Sequence, residues 1–282
     1  MVSGTTEDDP EARTRTRRES GGTSRPDPER PPGGSSAAAR ERLRRLLADR
    51  RPRRVEDRAI ERRAAVLLLL RPGGEGIAGE VAGEPPVPAS AEGQAPERAR
   101  GPGEEGPVRP AARFAARPPL APDLAALEAL FVLRAERDGD PWSGHVGLPG
   151  GHREEADRDL ADAARRELAE ETGLALSPEA VLGRLDDVHP RSRRLPSVAV
   201  TPYVGWTQET AGIRHGPEVD GHLWVPLAEL EAPGRRSVLT FRRAGALRAF
   251  PAVEVGGLTI WGLTFAIVRR FLEELPRGSG HG

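Results

Sequence analysis

The stretch from Gly150 to Leu174 limits what this chain can fold into more than any other part of the sequence. It reads GGHREEADRDLADAARRELAEETGL. Its second half is an acidic, helix-forming run that ends at Gly173, and glycine commonly terminates helices. Because residues three and four positions apart are neighbours on a helix, Glu167, Glu170 and Glu171 share one face.

Carboxylates at this spacing destabilise an isolated helix by roughly 0.2–0.5 kcal/mol per pair. A divalent metal ion relieves the repulsion, since Mg²⁺ takes oxygen ligands from carboxylates together with substrate phosphates. The alternative interpretation is a solvated, charged helix, the usual meaning of such a run. The glycines Gly150-Gly151 favour the metal site, because they form a tight turn whose backbone can approach a ligand closely. Asp157 and Asp159 precede the helix and are candidate caps.

The stretch resembles the Nudix box. In that motif a glycine is followed by a glutamate and then by the run Arg-Glu-U-x-Glu-Glu-x-Gly-U, in which U is a bulky aliphatic residue. Gly151 occupies the first position, and the residues from Arg166 to Leu174 fit the second half in full. Asp157 stands in place of the first glutamate, and eight residues separate it from Arg166 where the motif has seven. This longer, Asp-containing variant is similar to the coenzyme A pyrophosphatase-like branch of the family.

The resemblance implies an α/β fold, a Nudix-type α/β/α sandwich with a mixed β-sheet. It also implies a pyrophosphohydrolase that uses Mg²⁺ or Mn²⁺. The implied metal ligands are Glu167, Glu170, Glu171 and the carbonyl of Gly151, and the same glutamates with Arg166 form the implied catalytic set. We expect Arg166 to orient the glutamates by ion pairing.

Arginines near the box are candidate substrate-binding residues, because guanidinium groups bind phosphate by paired hydrogen bonds. Arg134 and Arg137 lie at the predicted end of a strand before the glycine turn, and Arg193 lies in a loop after the box. The alternative is that they are solvated surface arginines. The resemblance to the family also implies a role for Glu218, which precedes a Trp-Val-Pro strand: it is a second-tier candidate base or metal ligand, or else an exposed loop acid. His145 is interpreted as a structural or gating residue.

The implied substrate is a nucleoside diphosphate linked to another moiety. Coenzyme A or an acyl-CoA is the leading candidate, with 3′,5′-ADP and 4′-phosphopantetheine as products. ADP-ribose, NADH and nucleoside triphosphates are alternatives within the class. An alternative from another class is a catalytically silent nucleotide-sensing module.

The composition of the chain predicts disordered ends and one folded domain. Residues 1–36 and 277–282 are predicted to be disordered, and residues 37–276 to form the hydrolase domain. Within that domain, residues 72–123 are rich in Pro, Gly, Glu and Ala and are predicted to be a flexible insert. The apolar run 62–71 predicts a buried strand that pairs with a strand at 130–133, so the insert loops out of one sheet. The alternative is a small N-terminal unit linked to a domain that starts near Leu124.

Other elements follow from hydrophobic periodicity. Helices are predicted over 38–50 and after residue 264, the latter ending at Pro276. Strands are predicted at 181–188, 197–204 and 223–227, the last leading into a short helix. Thr201-Pro202 predicts a sheet edge or a bend, because proline cannot donate to a strand ladder.

Composition excludes several classes of function. The net charge of −1 gives no field that would attract nucleic acid or a membrane. With no cysteine and no lysine in the sequence, disulfides, thiol catalysis and Schiff-base chemistry are excluded. We expect a cytoplasmic protein, because no apolar run is long enough to cross a bilayer and the N-terminus lacks an apolar signal core. We further expect a monomer or homodimer whose partner is a small nucleotide-type diphosphate.

Overall fold

The computed structural model describes most of the chain from residue 34 onward. The described residues are 34–56, 60, 62–74, 76–81, 97–98, 117–137, 143–189, 197–209, 212–243 and 246–278. The predictions made for residues 1–33, for most of the insert, for Arg193 and for residues 279–282 lie outside this set.

The described residues form strands in two sheets and helices on both sides of the larger one. The strands are β1 (Arg62–Pro72), β2 (Ala78–Val81), β3 (Glu97–Arg98), β4 (Leu127–Arg134), β5 (Val146–Gly147), β6 (Gly150–His152), β7 (Val181–Arg184), β8 (Val198–Trp206), β9 (Val219–Pro226), β10 (Arg236–Arg243), β11 (Ala246–Val255) and β12 (Leu258–Ile260). The helices are α1 (Gly34–Ala48), α2 (Pro122–Ala125), α3 (Leu160–Thr172), α4 (Leu227–Glu231) and α5 (Gly262–Glu274). Short 3₁₀ turns cover Pro178–Ala180 and Pro233–Arg235.

The larger sheet has eight strands, in the order β2-β9-β4-β1-β8-β7, with β5 beside β4 and β6 beside β1. β1 and β8 run parallel, and the other pairs in this sheet are antiparallel. The sheet is therefore mixed, as predicted. A second sheet has four strands in the order β12-β11-β10-β3.

The central strand β1 is buried on both of its faces. Leu67 and Leu69 share a core cluster with α3, whereas Leu68 and Leu70 share the other cluster with α1 and α5. A strand that is covered on both faces reads as a continuous apolar run, which is how it was recognisable in the sequence. Helices on both faces of a mixed sheet make the α/β/α sandwich that the family resemblance implied.

Several sequence predictions are confirmed directly. Helix α1 buries Ala39, Leu43 and Leu47 at the predicted spacing. β1 pairs with β4 in antiparallel register, with Leu70 opposite Ala129. The carboxyl-terminal helix and the strand-to-helix passage from β9 to α4 are also present where they were expected.

The prediction of an edge or bend at Pro202 is wrong. β8 lies inside the sheet, between β1 and β7, and Pro202 is buried within it. The carbonyl of Pro202 still accepts a hydrogen bond from the Leu185 backbone N–H at 2.8 Å, just beyond the end of β7, so only the donor of this residue is lost from the sheet. The proline therefore interrupts one donor position without ending the strand.

Other differences concern segments that were expected to lack structure. β2, inside the 72–123 segment, pairs with β9, with Glu80 opposite His222. Residues 34–36, assigned to the disordered tail, begin α1. Arg277 forms a bridge with Leu120 and an ion pair with Glu231.

The β10–β11 hairpin was not predicted at all. In the described part of the chain, no helix is long and apolar enough to span a membrane.

Candidate active site

Helix α3 is fixed at both ends by local signals in the sequence. The Asp159 side chain caps its first turn by accepting from the Asp162 backbone N–H at 2.8 Å. Gly173 ends it with φ 71°, a left-handed conformation that suits glycine. Ala163, Ala164 and Leu168 are buried against the sheet, so the rotation of the helix about its axis is set by this apolar stripe.

With the helix in this orientation, Glu167 and Glu171 reach strand β6. Glu171 is 4% exposed, and its Oε2 accepts a hydrogen bond from the Gly150 backbone N–H at 3.0 Å. The carboxylate of Glu167 lies against the Cα of Gly151, since a Cβ built there would come within 2.4 Å of Glu167 Oε1. The glycine pair therefore permits the close approach that the sequence predicted for this turn.

Burial and mutual repulsion perturb both carboxyl groups. The pKa of Glu171 is raised to about 8, mainly by burial and also by the neighbouring charges of Glu167 and Glu218, against the opposing effects of the Gly150 N–H and Arg134. Burial is also the main cause that raises the pKa of Glu167, with Glu170 and Glu218 adding to it and Arg166 opposing it. Glu167, Glu171 and Glu218 are thus close enough to repel one another.

Glu170 does not join the other two glutamates at the glycine turn. Its side chain is 57% exposed and forms an ion pair with Arg166 at 2.9 Å. Glu170 lies on the helix at the predicted spacing from Glu167 and Glu171, but its side chain turns toward the guanidinium of Arg166 at the rim of the site. The role of Glu170 as a metal ligand stays a prediction.

Arg166 connects the two halves of the box. It donates to Asp157 at 3.0 Å and to the carbonyl of His152 at 3.0 Å, and it lies 3.1 Å from Glu167 and 2.9 Å from Glu170. Its side chain thus contacts both glutamates, and the expected orienting role stays a prediction. Its membership of the catalytic set remains a prediction, and this geometry favours a positioning role.

Asp157, the residue that stands in place of the first glutamate of the motif, is the ion-pair partner of Arg166. It is 4% exposed, accepts from the Glu154 backbone N–H at 2.8 Å, and the guanidinium of Arg166 lowers its pKa. The position where the family motif has glutamate therefore holds a buried anchor for Arg166 in this chain.

The predicted substrate-binding arginines take different positions. Arg134 Nη1 lies 3.9 Å from Glu171 Oε1, at the end of β4. Arg137 binds Glu218 at 2.9 Å and the carbonyl of Pro217 at 3.2 Å, and about half of each charged side chain is exposed. Arg193 lies outside the described residues.

A contact that sequence reasoning missed brings Glu218 to the site. The segment before β9 docks on the end of α3, where Arg214 N–H donates to the carbonyl of Thr172 and Gly216 N–H donates to the carbonyl of Glu171, both at 3.0 Å. Gly216 is needed for this approach, because a Cβ there would come within 2.1 Å of the Glu170 carbonyl oxygen. The glycine before Pro217 was the one signal in the sequence that could have indicated this packing.

The oxygen donors fit a hard divalent cation. Among the described residues, no group of three or more His, Asp or Glu side chains is gathered closely enough to hold a metal ion as the side chains stand. The buried carboxyl group of Glu171 and the half-buried one of Glu167, both with raised pKa values, nevertheless converge on a glycine turn, and a side chain at Gly151 would fill the space beside them. Such carboxylates are the ligands that Mg²⁺ prefers, and a cation would relieve their repulsion.

Comparisons with known proteins agree with this geometry. The NUDIX domain family model matches residues 124–241. The human protein named mitochondrial coenzyme A diphosphatase NUDT8 is 33% identical over 176 residues, which cover 60% of this chain and 74% of that protein. The uncharacterized Nudix hydrolase NudL of Yersinia enterocolitica is 33% identical over 135 residues, 47% of this chain and 67% of that protein.

A solved MutT/nudix family protein from Enterococcus faecalis is 15% identical at a TM-score of 0.40, covering 84% of this chain and 72% of that one.

Identity at this level along most of a relative, in a chain whose box folds into a helix facing a glycine turn, establishes the class. The chain belongs to the Nudix family of pyrophosphohydrolases. Within that family it is similar to the coenzyme A diphosphatases, as the Asp-containing box indicated.

Proposed function

We propose that this protein is a divalent-metal-dependent hydrolase that cleaves the pyrophosphate bond of coenzyme A or an acyl-CoA, releasing 3′,5′-ADP and 4′-phosphopantetheine (or its acyl derivative). The observation that carries the proposal is the convergence of Glu167 and Glu171 on Gly150-Gly151, in a chain similar to a protein named as a coenzyme A diphosphatase. Residues 37–276 would form the hydrolase domain.

Mg²⁺ or Mn²⁺, when bound, would neutralise the pyrophosphate and lower the pKa of the attacking water. Glu167 and Glu171 would hold the metal, with Glu170 and the carbonyl of Gly151 as further candidates. The buried ion pair of Arg166 with Asp157 would keep Glu167 pointed at the glycine turn. Preorganisation of this kind avoids rearrangement during the reaction.

The remaining groups would act on the substrate. Arg134, beside Glu171, is placed to hold a phosphate oxygen, and Arg137 could do so after leaving Glu218. Arg193 stays a candidate for the same task. Glu218 would take the proton of the attacking water once its partner arginine binds substrate, since an acid freed from an ion pair is a stronger base.

The proposed assay incubates the purified chain with Mg²⁺ or Mn²⁺ and a panel of coenzyme A, ADP-ribose, NADH and nucleoside triphosphates, and identifies products by mass. Cleavage of coenzyme A supports the proposal. Cleavage of another member keeps the enzyme class and replaces the substrate. No turnover with metal bound would favour a nucleotide-sensing module.

A substitution tests the site itself. Glu171→Gln should lower kcat by at least about a hundredfold without unfolding the protein, because it removes a charged metal ligand but keeps the side-chain volume. Glu209→Gln, at an exposed glutamate outside the site, is the matched control. A folded Glu171→Gln variant with wild-type turnover would show that this carboxylate holds no catalytic metal.

A cytoplasmic location stays a prediction for this protein. The human relative is named as mitochondrial.

A further inference from the structure

A cavity of about 850 Å³ lies between α5 and two loop segments on the face of the sheet that α5 covers. The segments are 53–55 and 186–189, and Phe250 and Pro251 of β11 close one side. Small-molecule sites have volumes of roughly 300–1,000 Å³, so the cavity is large enough for a nucleotide.

The charge around this cavity is positive. The arginines that line it are Arg53, Arg54, Arg269 and Arg270. Two of the lining acids, Asp186 and Asp187, pair with arginines that do not line the cavity. Arg50, which Asp186 shares with Glu274, binds Asp186 at 2.9 Å, and Arg184 and Arg63 pair with Asp187. The third lining acid, Glu273, pairs with Arg269 at 2.8 Å.

The excess positive charge is therefore carried by Arg53, Arg54 and Arg270. The side chains of Arg53 and Arg54 are exposed, and that of Arg270 is 46% exposed and lies 3.6 Å from the carboxylate of Asp186. Solvent-accessible guanidinium groups can bind phosphate oxygens through paired, charge-assisted hydrogen bonds. The wall between the arginines is apolar and includes Val55, Val188 and Leu263. The ligand that fits is amphipathic, with a planar or apolar part and a phosphate.

A row of ring and backbone contacts joins this cavity to the carboxylates. The ring of Phe250 lies 5.8 Å from that of Trp261, and the ring of Trp261 lies 4.9 Å from that of His145. The carbonyl of His145 accepts from the Arg134 backbone N–H at 3.1 Å, and the side chain of Arg134 faces Glu171. For one substrate to occupy both places, it must pass around the residues of this row at the end of the sheet.

We infer that this cavity binds the nucleoside end of the substrate when that end carries a phosphate monoester in addition to the pyrophosphate. The inference rests on the proposed function, because coenzyme A has such a phosphate on its ribose whereas its pantetheine arm is uncharged. A phosphate monoester carries about −1.5 to −2 charges at pH 7, which matches the arginine excess. The base would pack on the apolar wall.

Titration in the presence of EDTA tests the cavity without any turnover. The ligands are adenosine 3′,5′-bisphosphate and AMP, and the protein is wild type, the double variant Arg54→Gln/Arg270→Gln, or Ala266→Phe, which fills the cavity from the exposed side of α5. We expect the double variant to bind the bisphosphate about tenfold or more weakly, from the loss of charge-assisted hydrogen bonds, with a smaller effect on AMP. Ala266→Phe should weaken binding of both ligands.

Arg44→Gln is the control, since Arg44 is an exposed arginine of α1 that pairs with Glu41 and does not line the cavity. Unchanged bisphosphate affinity in the double variant and in Ala266→Phe would overturn the inference.

Turnover separates this inference from the proposed function. Wild type should prefer coenzyme A over dephospho-coenzyme A in kcat/KM, and the double variant should lose about as much of that preference as it loses in bisphosphate affinity. If wild type hydrolyses both and the preference is the same in the variant, the cavity inference fails and the function stands. If wild type hydrolyses neither, the function fails, and the titration in EDTA still decides whether the cavity binds a phosphorylated nucleoside.

Discussion

Replacing Gly151 by alanine tests whether the position of the Glu167 carboxylate controls activity. A Cβ at residue 151 would come within 2.4 Å of Glu167 Oε1 and 2.5 Å of its Cδ. The obstruction is the end of a side chain, so it can be relieved by a rotation of Glu167. The backbone of β6 need not move.

The size of the effect follows from this geometry. An ordinary contact needs about 3.4 Å or more, so the carboxylate must retreat by roughly 1 Å, and a misplacement of that size can cost about a hundredfold in rate. Overpacking a rigid core costs typically 1–3 kcal/mol, and a movable side chain should keep the loss of unfolding free energy near or below about 1 kcal/mol. The expected phenotype is a folded protein with kcat lowered about a hundredfold.

Two neighbouring glycines provide the controls. At Gly150, φ is 152° and a Cβ would come within 2.2 Å of the Ala65 carbonyl oxygen, so alanine there must distort the backbone of β1 or β6. Gly147, in β5, has no atom within 4 Å of its virtual Cβ. Gly150→Ala should therefore unfold at markedly lower denaturant than Gly151→Ala, and Gly147→Ala should resemble wild type in stability.

The assay measures hydrolysis of the best substrate from the panel, with urea unfolding of the same preparations. Wild-type kcat in Gly151→Ala would refute the idea that the carboxylate must stay beside residue 151. A Gly151→Ala variant as unstable as Gly150→Ala would show that the backbone, and not the side chain, yields to the new methyl group.

Three further predictions concern buried charges. Because burial raises the pKa of Glu171 from 4.5 to about 8, the metal-free protein should lose unfolding free energy as the pH rises between those values. The slope is at most about 1.4 kcal/mol per pH unit, and urea unfolding of Glu171→Gln should lack it; equal slopes would contradict the reading. Because the pKa of Asp157 is lowered, its carboxylate stabilises the fold at pH values above the ordinary pKa of aspartate. Asp157→Asn should therefore be less stable than wild type at neutral pH, and the difference in unfolding free energy, measured with urea, should shrink as the pH falls below about 4. Asp187→Asn removes the buried carboxylate that pairs with the half-buried Arg184 and should cost about 3–5 kcal/mol in urea unfolding, against less than about 1 kcal/mol for the exposed pair broken by Asp123→Asn; similar losses would refute the distinction.

Elements that depend on neighbours in sequence were the ones that sequence reasoning predicted well. The cap at Asp159 and the end at Gly173 need only residues within one helical turn, so both could be identified before the fold was known. The apolar run of β1 was equally clear, because burial on both faces leaves no polar positions. By contrast, Pro202 suggested an edge, and only the surrounding strands show how an interior position tolerates it.

The candidate site divides in the same way. The sequence by itself determined that Glu167, Glu170 and Glu171 lie on one side of a helix and that a glycine turn precedes them. It could not decide which carboxylates reach that turn, because the helix rotation is set by packing of Ala163 and Leu168 on β1, which is distant in the chain.

Only the tertiary structure decided that Glu170 faces Arg166, that Glu218 approaches through contacts with the end of α3, and that a cavity opens beside α5. Local spacing fixes directions along one helix or strand. Distances between elements follow from how their apolar faces fill the space between them, and that information is shared among residues from the whole chain.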